Sequence, residues 1–325
     1  MNRCLASVFF RHGLCYDVYM LDVFLLGTGG TSPVPERWLT SCYIRCDGMA
    51  VLIDCGEGTQ IALKEQGLSF KNIDAVLFTH YHADHTGGLP GMLLSMGKAG
   101  RTEPLDLYGP DGLENLVRGV MYIAHRIPFE LRLHIIDGRE TGFTLGKLQI
   151  KAFEVYHSVK CYAYRIDLPR NARFDAAKAR ALAVPVRLWG RLQKGETVEH
   201  EGAVYTPEQV LGEKRRGIRM VYATDTLPVR AIPREAAGAD LLIAEGMYGD
   251  PEKKENALKH RHMMMQEAAK IAKEAQVKEL WLTHFSPSVH DPLYWKDHVV
   301  EIFPDTVISN DCIHKDLPFP EDPEE

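Results

Sequence analysis

Thr79-His80-Tyr81-His82-Ala83-Asp84-His85 places four potential metal ligands within six residues. Imidazole nitrogen and carboxylate oxygen suit zinc, and also manganese or iron. His80 and His82 alternate along the chain and can converge on one ion. Asp84 and His85 follow a turn later and can face a second. The run comes directly after an apolar strand-like segment at 75–79, and a loop at a strand's end can aim such side chains into a crevice. A solvated polar loop is the plain alternative, but four ligands at this spacing argue for metal binding.

A paired metal site needs ligands from elsewhere in the chain. His157, Asp225 and His284 are candidates because each follows an apolar segment of strand length, at 148–156, 218–223 and 279–283. Taken singly, each is as readily a turn cap or a satisfied buried polar group. Taken with the first loop they make five histidines and two carboxylates, with Asp225 able to give one oxygen to each ion. Two ions about 3.5–4 Å apart would generate a hydroxide and stabilise both the attacking and the leaving oxygen of a displacement. Such chemistry suits phosphodiesters, and also esters and amides. Asp54 closes another strand-like segment and reads as a carboxylate that orients a ligand, or as a helix cap. Gly27-Thr28-Gly29-Gly30 lacks the Lys-Ser/Thr of a phosphate-binding loop and reads as a tight turn beside the metals. Met263-Met264-Met265 reads as core or interface filling.

These residues need strands to carry them. Short runs rich in Val, Ile, Leu and Tyr predict strands at 21–26, 41–45, 50–54, 75–79, 105–108, 131–136, 148–156, 162–166, 218–223, 241–244, 279–283 and 306–309. Helices are expected at 57–66, 88–96, 111–126, 262–276 and 292–303, and a frayed acidic tail at 318–325. Strands and helices alternate throughout, so the class is α/β (α+β), one domain over 20–325 with an inserted arm at about 167–217. Residues 1–19 read as an N-terminal extension, because Arg11, His12, Asp17 and Asp22 interrupt every apolar run before membrane-spanning length. The composition, 45% apolar and 25% charged over 325 residues, is that of a globular chain. The seven scattered cysteines form no CxxC pair and read as reduced thiols of a cytoplasmic protein. No run is long enough for a membrane helix.

His80-Tyr81-His82-Ala83-Asp84-His85 resembles the signature of the metallo-β-lactamase superfamily. Leu26-Gly27-Thr28-Gly29, the run from Ile53 to Gln60, the run from Leu107 to Leu113, Val155-Tyr156-His157, Asp225-Thr226 and Thr283-His284-Phe285-Ser286 are similar to the ribonuclease Z family within it. The likeness spans roughly residues 20–312, arm included. It implies an αββα sandwich of two mixed sheets and two zinc ions per subunit. One ion would take His80, His82 and His157; the other would take Asp84, His85 and His284, with Asp225 shared. It implies that Asp84 also handles the nucleophile's proton, that His262 protonates the leaving oxygen and that Glu245 orients His262. The implied reaction is hydroxide attack on a phosphodiester of precursor tRNA, removing the 3′ trailer and leaving a 3′-hydroxyl. The implied assembly is a homodimer in which one subunit's arm serves the other's site.

The chain departs from the family pattern at Pro35 and Trp38 in the substrate loop, at Thr224, at Met263 and Met264, and in the arm around Pro185. None of these is a metal ligand. A hydrolase of small phosphodiesters or other small esters is therefore the second reading, and an RNA-binding module without turnover the third. The net charge of −6 argues against a uniformly basic surface. Residues 165–194, however, hold eight basic side chains against Asp167 and Asp175. That is either a footprint for a phosphate backbone or an ordinary solvated helix.

Overall fold

Apolar side chains alternate between two destinations along most strands, and this alternation stacks the molecule into layers. The computed structural model describes residues 20–35 and 37–321; the expected extension at 1–19 lies outside them. The chain first forms β1 (Met20–Gly27), β2 (Ser41–Cys46), β3 (Met49–Ile53), α1 (Thr59–Glu65), β4 (Ala75–Leu77), α2 (Ala83–Thr86), α3 (Leu89–Lys98), β5 (Leu105–Gly109), α4 (Leu113–Ala124) and β6 (Leu131–Ile135). It continues through β7 (Glu140–Leu145), β8 (Leu148–Tyr156), β9 (Lys160–Arg170), α5 (Ala176–Ala181), α6 (Val186–Gln193), β10 (Val198–His200), β11 (Ala203–Tyr205), α7 (Pro207–Val210) and β12 (Arg215–Ala223). It closes with α8 (Ala231–Glu235), β13 (Leu241–Glu245), α9 (Lys254–His260), α10 (Met265–Ala275), β14 (Leu280–Thr283), α11 (Lys296–Val300), β15 (Thr306–Ile308) and β16 (Ile313–Pro318).

Two seven-stranded sheets result, ordered β16-β1-β2-β3-β4-β5-β6 and β15-β14-β13-β12-β9-β8-β7. Each is antiparallel over one part and parallel over the other: β3 to β6 and β12 to β15 run parallel. In β1, Leu21, Val23 and Leu25 face the second sheet, while Phe24 and Leu26 face α1 and α3. In β13, Leu241 and Ile243 face the first sheet, while Leu242 and Ala244 face α10. Strands buried on both faces must read as continuous apolar runs, as these do. The layers are therefore helix, sheet, sheet, helix.

Several boundaries move. β9 extends to Arg170 and β12 begins at Arg215, and those two residues pair, so 167–170 and 215–217 are sheet rather than arm. The tail is not frayed at its start. Residues 313–318 form β16 against β1, and Arg170 donates to the Pro320 carbonyl. The expected helix at 262–276 begins only at Met265, which leaves His262 on a connection. The helix expected at 292–303 divides into a 3₁₀ turn at Pro292–Trp295 followed by α11. Edge strand β7 escaped the sequence reading because Glu140–Leu145 leaves alternate residues in solvent and lacks an apolar run.

Residues 171–214 leave the sheet between β9 and β12. They fold around Ala179, Val184, Leu192, Val198 and Val210, with Trp189, Phe174 and Tyr205 packed on this small core. Trp189 also donates to the Val184 carbonyl.

Candidate metal centre

The carboxyl ends of β3, β4, β8, β12, β13 and β14 lie along one edge of the sandwich, where strand ends of α/β sheets commonly form a crevice. Asp54 follows β3 directly and His284 follows β14; Asp225 stands two residues beyond β12. All three adopt left-handed backbone angles, with φ of 58°, 57° and 54°. Such conformations are unfavourable for non-glycine residues and persist where the surroundings over-determine them. They turn each side chain sharply off its strand and into the crevice.

The seven expected ligands meet there. Within trios whose ligand atoms all lie within 4.8 Å of one another are His80, His82 and His157, and also Asp84, His85 and His284. Asp225 stands between the trios and presents a different oxygen to each. Its Oδ1 is 4.0 Å from His80 Nε2 and 3.9 Å from His157 Nε2. Its Oδ2 is 3.0 Å from His85 Nε2 and 3.3 Å from His284 Nε2.

Three of the imidazoles are held from behind. Asp54 Oδ2 lies 2.7 Å from His85 Nδ1 and accepts the Thr79 hydroxyl at 2.8 Å, while Asp54 Oδ1 accepts the Thr79 amide at 2.8 Å. His157 Nδ1 lies 3.2 Å from the Arg261 carbonyl, and the Arg261 guanidinium donates back to the His157 carbonyl at 2.6 Å. His80 Nδ1 lies 3.0 Å from the Thr79 hydroxyl. These contacts leave Nε2 of His80, His85 and His157 facing inward. His80 Nε2 is fully buried without a hydrogen-bond partner, a costly arrangement unless something accepts its lone pair.

The residues fit divalent cations on these observations. Imidazole must be neutral to ligate. Burial holds His80 well below the ordinary imidazole range and lowers His157 to about 4. Burial also disfavours charge on His85, but the carboxylates of Asp225 and Asp54 outweigh it and hold its pKa well above the usual value.

His262 and Glu245 join the rim. His262 Nδ1 lies 2.8 Å from Glu245 Oε2 and 3.9 Å from Asp225 Oδ1. Burial opposes the charge, yet Glu245, Asp225 and Asp84 raise the His262 pKa to about 9. Glu245 also accepts the Thr226 amide, which fixes its orientation.

Other residues at the centre escaped the sequence reading. Thr79 was quoted only as the start of the histidine run, although its hydroxyl ties Asp54 to two imidazoles. Arg261 gave no signal beyond its place before His262. The turn at 27–30 does lie beside the cluster. A Cβ on Gly30 would stand 2.6 Å from His284 Cε1, and the next amide, Thr31, donates to Asp84 Oδ2 at 2.6 Å. Asp311 anchors the same loop by accepting the Thr28 amide at 2.9 Å, the Thr28 hydroxyl at 2.6 Å and the Trp38 amide.

The basic stretch is less open than its count suggests. Arg165 pairs with Asp167 on its own strand and with Glu235 at the end of α8. In the arm Arg191 pairs with Glu196 at 2.7 Å, and Arg180 lies over the Trp189 ring.

Comparison with known proteins agrees with this architecture. A family profile described as "Beta-lactamase superfamily domain" matches residues 161–285, and one described as "Anti-Pycsar protein Apyc1" matches residues 21–173. A protein of Lachnoclostridium phytofermentans named "Ribonuclease Z" is 49% identical, over 90% of this chain and 96% of its own length. A second with that name, from Agathobacter rectalis, is 48% identical over 93% of this chain and its full length. The crystal structure of human tRNase Z, short form, superposes with a TM-score of 0.66 at 24% identity, covering 92% of this chain and all of that one.

Proposed function

The chain belongs to the ribonuclease Z family, and from that premise we propose how its centre removes 3′ trailers from tRNA precursors. The protein is a metal-dependent endoribonuclease that hydrolyses one RNA phosphodiester. The observation that carries the assignment to this crevice is Asp225, whose two oxygens face two separate trios of ligand residues.

We assign His80, His82 and His157 to one zinc ion, and Asp84, His85 and His284 to another, with Asp225 shared. Bound there, such ions supply water activation and neutralise charge on the attacking and leaving oxygens. The chain's own groups do the rest. Thr79 and Asp54 hold His85, and Arg261 holds His157, so that lone pairs rather than N–H groups face the crevice. Asp84, oriented by the Thr31 amide, takes the proton of the attacking water. Glu245 keeps Nδ1 of His262 engaged and leaves Nε2 to give a proton to the departing 3′-oxygen. The tRNA then carries a 3′-hydroxyl.

The arm at 171–214 is assigned to gripping the tRNA, and the enzyme to a homodimer in which that grip serves the partner's site. Tyr122 and Ile123, 90% and 67% exposed at the end of α4, offer apolar surface for such an assembly. The cytoplasm suits a chain whose five described cysteines are all free thiols, and no described helix is long and apolar enough to cross a membrane.

The test is incubation of the purified, metal-loaded protein with a 3′-extended tRNA precursor, followed by end analysis of the product. Cleavage leaving a 3′-hydroxyl on the tRNA is expected. Undiminished cleavage by Asp84→Ala would sink the assignment of the centre.

A further inference from the structure

Beyond the centre, the loops leaving β13 and β14 enclose a second concavity. Its walls come from residues 248–253 and 288–295, and its volume is about 250 Å³. Pockets for drug-sized ligands run to roughly 300–1,000 Å³, so this one suits a single heterocycle. Its lining is aromatic and polar together: Tyr248, Lys253, Val289, His290, Tyr294 and Trp295.

Two features mark it as built to receive something flat. Trp295 packs closely on Gly249, where a Cβ would come 2.1 Å from its Cγ. Tyr294 stands edge-on to Trp295, with centroids 5.0 Å apart and planes at 82°, yet is 73% exposed. One ring packs on the backbone at Gly249 and the other is open to a stacking partner. The carboxylates at the pocket are already engaged as caps, Asp250 accepting the Glu252 amide and Asp291 the Leu293 amide.

The pocket is also coupled to the centre. One wall begins four residues after His284. The other follows Glu245 and is tied to the segment after His262 by Met247 donating to the Met263 carbonyl and Met265 donating to the Tyr248 carbonyl. Arg37, on the loop that orients Asp84, donates to the Val289 and His290 carbonyls.

Resting on the ribonuclease Z reading, we infer that this pocket takes one unpaired nucleobase next to the cleaved phosphodiester, stacked on the open face of Tyr294 with its edge toward Trp295. Proteins read single-stranded RNA by stacking splayed-out bases on aromatic side chains, and a base inside the acceptor stem is not available for that. The ammonium of Lys253 at the rim would meet the adjoining phosphate. Two bases qualify: the last unpaired nucleotide of the tRNA and the first of the trailer.

The test measures kcat/KM on three precursors: intact, abasic at the last tRNA nucleotide, and abasic at the first trailer nucleotide. Wild-type, Tyr294→Ala and Tyr294→Phe enzymes are compared, with melting profiles as the check on folding. On intact precursor, Tyr294→Ala is expected to lose roughly 5- to 150-fold, the span of base–aromatic stacking, and Tyr294→Phe to recover most of it. On the abasic precursor that lacks the bound base, wild type falls to the level of Tyr294→Ala and the substitution costs nothing further. The precursor showing that coupling identifies the base. Wild-type rates for a folded Tyr294→Ala, or equal losses on all three precursors, overturn the inference. Failure of the wild-type enzyme to cut the intact precursor would instead overturn the activity on which it rests.

Discussion

Around Asp225 the side chains of His80, His85 and His157 are each tied to a neighbouring polar group, whereas the arm rests on five buried residues and a few rings packed on them. At the centre, His85 is held by Asp54 and faces Asp225, and His157 is gripped front and back by Arg261. In the arm the pairings lie at the surface, as for Arg191 with Glu196, and exposed pairs contribute on the order of 0–1 kcal/mol. On the reading proposed above, chemistry belongs to the more tightly tied part and the grip on the substrate to the part held by the smaller core. The two are separable, and that is what experiments can break.

The largest effect is expected at the residue both trios share. Asp225→Ala should lower cleavage of any substrate by more than about 10⁴-fold, beyond the 10²–10⁴ of a single acid–base group, and lower the bound metal measured by elemental analysis. Retained metal with retained turnover would leave the centre without its keystone. Next comes His262→Ala, with an expected loss of about 10²–10⁴-fold in kcat and little change in metal content. The pH profile sharpens this. His262 is charged below about 9, so activity that needs its proton is present below that pH and falls as pH rises through it. Glu245→Gln removes the main stabilising charge, and the alkaline limb should move down toward the ordinary imidazole value of 6.5. An unmoved limb would assign it to another group.

Asp54→Ala should weaken metal affinity by roughly 10- to 100-fold, the usual cost of losing a group that orients a ligand, read by competition with a chelator. The smallest effect is expected in the arm. Arg180→Ala with Arg187→Ala should raise KM for precursor and reduce the slope of log affinity against log salt by about one per lost phosphate contact. Hydrolysis of a small chromogenic diester should be untouched. Equal losses on both substrates would show that arm and centre are not separable.

The difference between the regions also decided what the sequence disclosed. The parallel strands read clearly because both faces are buried, and each announces the polar residue after it; Asp54, Asp225 and His284 were found that way. Glu245 and His262 came only through likeness to a family, since a glutamate ending a strand and a histidine among Lys259, His260 and Arg261 look like surface charge. Arg261 was illegible because its work is done partly by its carbonyl, which no residue type advertises. β16 was hidden by the Pro and acidic residues that follow it, and charge counting misjudged Arg165 because Glu235 lies 70 positions away. The aromatic pocket beside the centre depends on two loops meeting, and neither loop announces the other.

The spread of the ligands has one further consequence, for biosynthesis. His284 lies 200 positions after Asp84, although their side chains meet. A ribosome delivers the histidine run early and its last companion near the end, and chains fold broadly in the order they emerge. Completion of the ligand set is therefore among the final acts of maturation. A nascent chain halted short of β14 holds only part of the ligand set, because His284 has yet to be made.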